Sequence, residues 1–141
     1  MLFVGTSIIH PSTEGVFLLC NILDLLIYSF NWISVIRLPD FVTKNDFDWA
    51  VDTATKKKKL DCSKAEFLTI DEGLCVQMMH IGPFDNEPES VKIMDAFLEE
   101  NGYVNDINEK RLHHEIYMSD ARKIAPEKWK TVIRHPIRRK E

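Results

Sequence analysis

Cysteine is scarce in this 141-residue chain: Cys20, Cys62 and Cys75 stand at unrelated spacings, without a CxxC pair. An odd, scattered set excludes both a disulfide framework and a zinc ribbon, and points to a reducing cytoplasm. A positive excess is also lacking. With 18 Lys and Arg against 22 Asp and Glu, the net charge is −4, so the phosphates of a nucleic-acid partner would find no basic footprint. Lys56 to Lys59 do cluster, and they read as the solvated last turn of a helix, facing the negative end of its dipole. No long apolar run is present either. Val16 to Phe30 is broken by Asn21 and Asp24 and falls short of the roughly 20 residues a membrane span needs. No basic segment precedes it, and Glu14 disfavours a signal peptide, so the run reads as buried structure and no membrane partner is expected. GxxxxGK[ST], GxGxxG, GxSxG and HExxH are all absent, which leaves no phosphate cradle, nucleophile elbow or helical zinc pair. No cofactor is expected.

What remains is an ordinary globular composition, 45% hydrophobic and 28% charged, of a length that fits one domain. Thr43 to Lys59 reads as a helix. Thr43 caps it with Asp46 three residues on, and Phe47, Ala50, Val51 and Ala54 form the apolar stripe. Ala65 to Ile70 and Leu74 to Gly82 alternate like strands, and Gly82-Pro83 ends the run. A second helix follows. Pro88 suits its first turn, Glu87 and Glu89 its positive end, and Gly102 the position just past its last turn. Its stripe is Val91, Met94, Phe97 and Leu98, with Ile93 beside it. Strands are expected again over His113 to Met118 and Trp129 to Ile137.

An internal echo organises these pieces. Trp32-Ile-Ser-Val-Ile-Arg-Leu-Pro39 reappears as Trp129-Lys-Thr-Val-Ile-Arg-His-Pro136, with Trp, Val, Ile, Arg and Pro in place. Such self-similarity implies two copies of one supersecondary unit, each closing on a strand that stops at its last pairing position, the proline.

Strand periodicity sorts His113 to Met118 into two faces. Ile116 and Met118 are expected to point onto the second helix, while His113, Glu115 and Tyr117 share the face away from it. A carboxylate between an imidazole and a phenol is suited to ligand binding; an ordinary solvated sheet face is the alternative. A metal is not expected. His113 and Glu115 could supply two ligands and His80 lies on another strand, but a zinc site needs a convergent set. Cys75, within an apolar run, reads as a packed thiol and not a nucleophile.

Taken together, several segments resemble the GyrI-like small-molecule-binding family. They are Arg37-Leu-Pro-Asp-Phe-Val-Thr43, Glu72-Gly-Leu-Cys-Val-Gln-Met-Met-His-Ile-Gly-Pro-Phe84, Phe97-Leu-Glu-Glu-Asn-Gly-Tyr103, His113-His-Glu-Ile-Tyr-Met-Ser-Asp120 and Thr131-Val-Ile-Arg-His-Pro136. They cover the chain from about Trp32 to its end, in order. The resemblance implies an α+β fold: an antiparallel sheet with helices on one face, built from duplicated strand–helix–strand–strand (SHS2-type) repeats, SOUL-like in kind. Residues 1–141 would form a single domain, with 1–40 a remnant of an incomplete first repeat, 41–60 a linking helix and 61–141 the second repeat.

The resemblance further implies a groove between the repeats that takes planar aromatic, often cationic molecules, as in bacterial effector-binding domains. Glu115 matches the family's acidic ligand contact. Phe17, Trp32, Phe84 and Tyr117 are the expected walls, with His80 and His113 nearby. Some members hydrolyse cyclopropane rings in DNA-alkylating natural products; on that pattern Glu115 would protonate or orient, helped by Tyr117 or Tyr103. Others inhibit gyrase, which makes a protein-interaction module the third reading. The family's opening strand and helix have no clear counterpart ahead of Trp32, where Pro11-Ser-Thr-Glu-Gly-Val-Phe-Leu18 matches only loosely. A truncated or frame-altered reading frame would explain this. The unpaired sheet edge it leaves implies a homodimer.

Overall fold

Among the described residues, helix caps and strand alternation turn into two sheets and two α-helices. The computed structural model describes residues 2–7, 15–18 and 33–141. Its elements are β1 (Leu2–Ser7), β2 (Gly15–Leu18), β3 (Val35–Ile36), α1 (Lys44–Lys58), β4 (Ala65–Leu68), β5 (Gly73–Ile81), α2 (Glu87–Glu100), β6 (Tyr103–Asn105), β7 (His114–Tyr117) and β8 (Lys130–Arg139). Short 3₁₀ turns at Phe84–Asn86 and Pro126–Lys128 precede α2 and β8. The fold is α+β, with all strand pairing antiparallel. Trp32 lies outside the described residues. The strand expected over its segment is the two-residue β3, whereas β1 and β6 were not anticipated.

The chain divides into two units, Ile9–Asp71 and Met1–Ile8 with Glu72–Glu141. In the first, the sheet order is β3-β2-β4. α1 begins with a complete capping box, in which the Thr43 hydroxyl accepts from the Asp46 N–H and the Asp46 carboxylate accepts from the Thr43 N–H. Its buried Phe47 packs against Phe67 of β4, ring centroids 5.6 Å apart.

The second unit carries the larger sheet, in the order β1-β5-β8-β6, with β7 also on β8. β8 pairs with β5 over residues 130–136. Along its other edge it pairs first with β7 and then, from Ile137 on, with β6. Pro136 therefore is the last pairing position towards β5, as the sequence implies, but the strand runs on to Arg139 by using β6. The alternation of β5 and β8 places Val76, Ile133 and Ile137 on one face. Against it lie Met94 and Leu98 of α2, with Leu74, Met78, Val91, Phe97 and Tyr103 around them. Each such side chain, fully buried, stabilises by about 1.5–3 kcal/mol.

The opposite face is held by charge. The buried Glu72 carboxylate accepts from the Nδ1 of His114 and from Nη1 of Arg134. Arg134 also donates to Gln77 Oε1 from Nε (3.0 Å) and Nη2 (2.8 Å). Arg111, ahead of β7, donates through Nη2 to the carbonyls of Glu72 (2.9 Å) and Leu74 (2.8 Å), and through Nη1 to Asp106. Cys75 is buried on this same face, with its Sγ on the Glu72 carbonyl at 3.3 Å.

Met94 is 0% exposed at the centre of the core. Met94→Ala is therefore expected to lower the stability of this unit by about 2–5 kcal/mol, read from urea unfolding; a loss under about 1 kcal/mol would contradict the packing described.

Candidate functional site

The residues with chemistry gather on the α2 side of the larger sheet, at the end where α2 begins. In register, Glu115 lies opposite Ile133 and Tyr117 opposite Thr131. Ile133 packs on Met94, so the face of β7 that carries Glu115 and Tyr117 is the helix side. This corrects the expected orientation. Periodicity groups His113, Glu115 and Tyr117 correctly, but by register it is Ile116 and Met118 that face away from α2; exposure does not separate the faces, since Tyr117 is itself 63% exposed. Alternation alone is symmetric; only the pairing with β8 says which face the helix covers.

Glu115 is the focus. Its Oε1 accepts from His113 Nε2 at 3.0 Å, and its Oε2 accepts from the Tyr117 hydroxyl at 2.7 Å. Burial pushes its carboxyl up, but the two hydrogen bonds and the His113 charge outweigh that and hold it below the usual carboxylate range. Glu115 is thus ionised at neutral pH. Burial also pushes the Tyr117 hydroxyl well up, and its bond to Glu115 and the charges of Glu115 and Glu87 add to this, so Tyr117 stays a donor.

An aromatic wall stands beside the acid. Gly82, at φ 138°, makes the turn out of β5, a conformation that L side chains rarely adopt, and it delivers Phe84 to the site. The Phe84 ring lies 5.6 Å from Tyr117, edge-on, and 4.7 Å from Trp129. Trp129 is fixed by its indole N–H, which donates to the Ile124 carbonyl at 2.8 Å. Sequence periodicity singles out Trp129 only through the echo with Trp32; its closeness to Phe84 depends on the turn before β8.

His80 sits inside, 5% exposed. Its Nε2–H donates to the Pro83 carbonyl (3.0 Å), and in the neutral ring Nδ1 accepts from the Ser90 hydroxyl (2.9 Å). Both ring nitrogens are thus engaged, and His80 positions the first turn of α2 instead of presenting a nitrogen to a ligand. His135, buried on the same face, stacks edge-on with His113 at 4.9 Å. Burial and the neighbouring His113 hold its ring below the usual imidazole range, with Asp95 offsetting part. Among the described residues no three His, Cys, Asp or Glu side chains converge on a metal position.

One expectation changes. Tyr103 does not join Glu115: it pairs with Arg139, six residues along β8 from Ile133, roughly 20 Å away at strand rise. It packs on the core instead. Phe17 lies in β2, in the other unit, and Trp32 is outside the described residues. Glu87 is the acid that the sequence pattern overlooks. In sequence it reads as a charge suited to the positive end of the helix, yet it continues the sheet-facing stripe of Ser90, Met94 and Leu98 back by one turn. Burial pushes its carboxyl up, the Glu115 charge adds to that, and His80 and His113 offset part.

These shifts set pH signs. The lowered pKa of Glu115 contributes stability that is full above the ordinary carboxylate range and lost as pH falls through the folded value. Glu87, raised, behaves oppositely: its contribution is present in acid and lost as pH rises through its folded value. Glu87→Gln is therefore expected to raise the melting temperature at neutral pH, with the gain disappearing below the ordinary carboxylate range. Tyr117→Phe should move the Glu115 titration upward in carboxyl-carbon NMR, and an unmoved midpoint would contradict the hydrogen bond.

Three solved structures from Listeria innocua are similar to this chain. One is a hydrolase, 46% identical over 76% of this chain and 55% of its own, with a TM-score of 0.71. Another is an uncharacterized conserved protein, 39% identical over 89% and 63%, with a TM-score of 0.73. The third, also a hydrolase, is 37% identical over 96% and 64%, with a TM-score of 0.69. The chain spans 55 to 64% of the length of these proteins. No curated protein matches the sequence. The GyrI-like small molecule binding domain matches residues 31–138, a stretch that includes Glu115 and all three aromatic rings around it. The chain belongs to the GyrI-like small-molecule-binding domain family.

Proposed function

We propose that this protein binds small amphipathic aromatic or cationic molecules at Glu115, against Phe84, Tyr117 and Trp129. The observation that carries the reading is an ionised, partly desolvated carboxylate, 28% exposed, beside a set of clustered aromatic rings. A carboxylate with little water around it favours a cation or a hydrogen-bond donor, and the rings add stacking and cation–π attraction. His113 and Tyr117 hold the acid in place, while His80 fixes the start of α2. Phe17 and Trp32 as further walls, a groove between two repeats, and the division into a first-repeat remnant (1–40), linking helix (41–60) and second repeat (61–141) rest on the family resemblance and the Trp32/Trp129 echo. So does a homodimer covering the free sheet edge; a monomer mass in light scattering at micromolar concentration would remove that element. The cysteine usage supports a cytoplasmic setting, and no described helix is long and apolar enough to cross a membrane.

A second reading has its own support, since two of the similar structures are hydrolases. On it, the same pocket opens cyclopropane rings of DNA-alkylating natural products by adding water. The lowered Glu115 suits a role in orienting the substrate or accepting a proton from water, and not in donating one. Tyr117, kept protonated, would hold that carboxylate in position.

The readings separate by turnover. Incubation with a cyclopropane-bearing alkylator should yield bound, unchanged ligand if the protein is a binder and ring-opened product if it is a hydrolase. Glu115→Gln is expected to cost about tenfold or more in affinity, the loss of one charge-assisted hydrogen bond, in calorimetric titration. Full affinity in that variant would remove Glu115 as the anchor.

A further inference from the structure

Glu87 and Thr131 are not used by the binding reading above, and both carry a buried polar atom in want of a partner. Oε1 of Glu87 and Oγ1 of Thr131 are buried with no hydrogen-bond partner among the described residues. Thr131 is 1% exposed. Its place is fixed by the sheet: it is the residue of β8 paired with Tyr117 on one side and His80 on the other. Its side chain therefore shares their face. Above that row, the Ser90–His80 hydrogen bond holds the first turn of α2 to the sheet, and Glu87 stands one turn before Ser90 on the sheet-facing stripe. The like charge of Glu115 acts on it, and His113 offsets part of that.

The neighbours are already committed. Glu115 accepts from His113 and Tyr117, and His80 is engaged through both nitrogens. Glu115, an acceptor, has no hydrogen to give Glu87, and His80 has no ring nitrogen left for either atom. An acid kept half-buried beside another acid lowers stability, a burden typical of functional sites and not of folding ones. A single cation on Glu115 would leave it in place. A second donor group at Glu87 would offset the repulsion and the desolvation, and the buried Thr131 hydroxyl lies on the same α2-facing side of the sheet.

We propose that Glu87 and Thr131 form a second polar contact point in the Glu115 pocket, which selects aromatic ligands carrying two separated cationic or hydrogen-bond-donating groups. Glu115 takes one group and Glu87 the other, and the aromatic rings hold the flat body between. This specificity rests on the binding reading given above, and its test keeps the two apart.

The test is fluorescence titration of the whole chain with two planar probes: DAPI, which carries two amidinium ends, and berberine, which carries one fixed positive charge. Wild type is expected to prefer DAPI. Glu87→Gln should weaken DAPI by about tenfold or more while leaving berberine within about twofold. Thr131→Val, close in shape, should weaken DAPI in the same direction. Glu89→Gln, on the exposed side of the same turn, removes an equal charge and should change neither affinity. Glu115→Gln should weaken both probes. If Glu87→Gln lowers both affinities alike or neither, or if Glu89→Gln matches its effect, the second contact point is overturned while the Glu115 pocket stands. If wild type binds neither probe, both are overturned.

Discussion

The site depends on one pairing, that of β7 with β8. Setting Glu115 opposite Ile133 turns a short edge strand so that its acid and its phenol lie on the α2 side of the sheet, the acid partly buried and the phenol 63% exposed. A slip of one residue would exchange the two faces, burying Ile116 and sending Glu115 into solvent. The register is guarded from the other side of the sheet. His114 reaches the buried Glu72, which also holds Arg134, the residue directly opposite His114. A slip would separate a buried acid from its partners, which is among the costliest errors a fold can make.

The two faces of the sheet thus do different work. One is apolar through Val76, Ile133 and Ile137, with His135 buried between the two isoleucines, and turns polar again where α2 begins. The other is held by guanidinium and carboxylate. At that end of the helix Ser90 replaces an apolar residue in the stripe and hydrogen-bonds His80, so polar groups gather there. The aromatic rings close that end from the turns before α2 and β8, where backbone is less constrained by sheet pairing.

Much of this was legible in the sequence, where local rules decide the outcome. The capping box of Thr43 and Asp46, the stripe of α2 and the strands around Glu115 and Ile133 follow from spacing alone, since each is a contact between near neighbours. What was illegible is what only pairing decides. Alternation grouped His113, Glu115 and Tyr117 without telling which side α2 covers. β6, three residues long, carries too little pattern to be read. Tyr103 entered as a helper by resemblance, and the pairing with Arg139 removes it. Glu87 could have been found: counting back from Met94 and Ser90 puts it on the buried side, but a glutamate at a helix start has a ready explanation in the dipole, and that explanation hid it.

The clamp of Arg111 has a bearing on how such a pocket changes over generations. A single guanidinium binds the backbone carbonyls of Glu72 and Leu74, not their side chains, and so ties the loop before β7 to β5 whatever residues stand there. β7 itself adds little to the apolar core. Substitutions at Glu115 or Tyr117 therefore act on folding through their hydrogen bond and the Glu115 charge, and leave the apolar packing intact. A strand anchored this way can exchange the residues on its α2-facing side while the apolar packing behind it stays still.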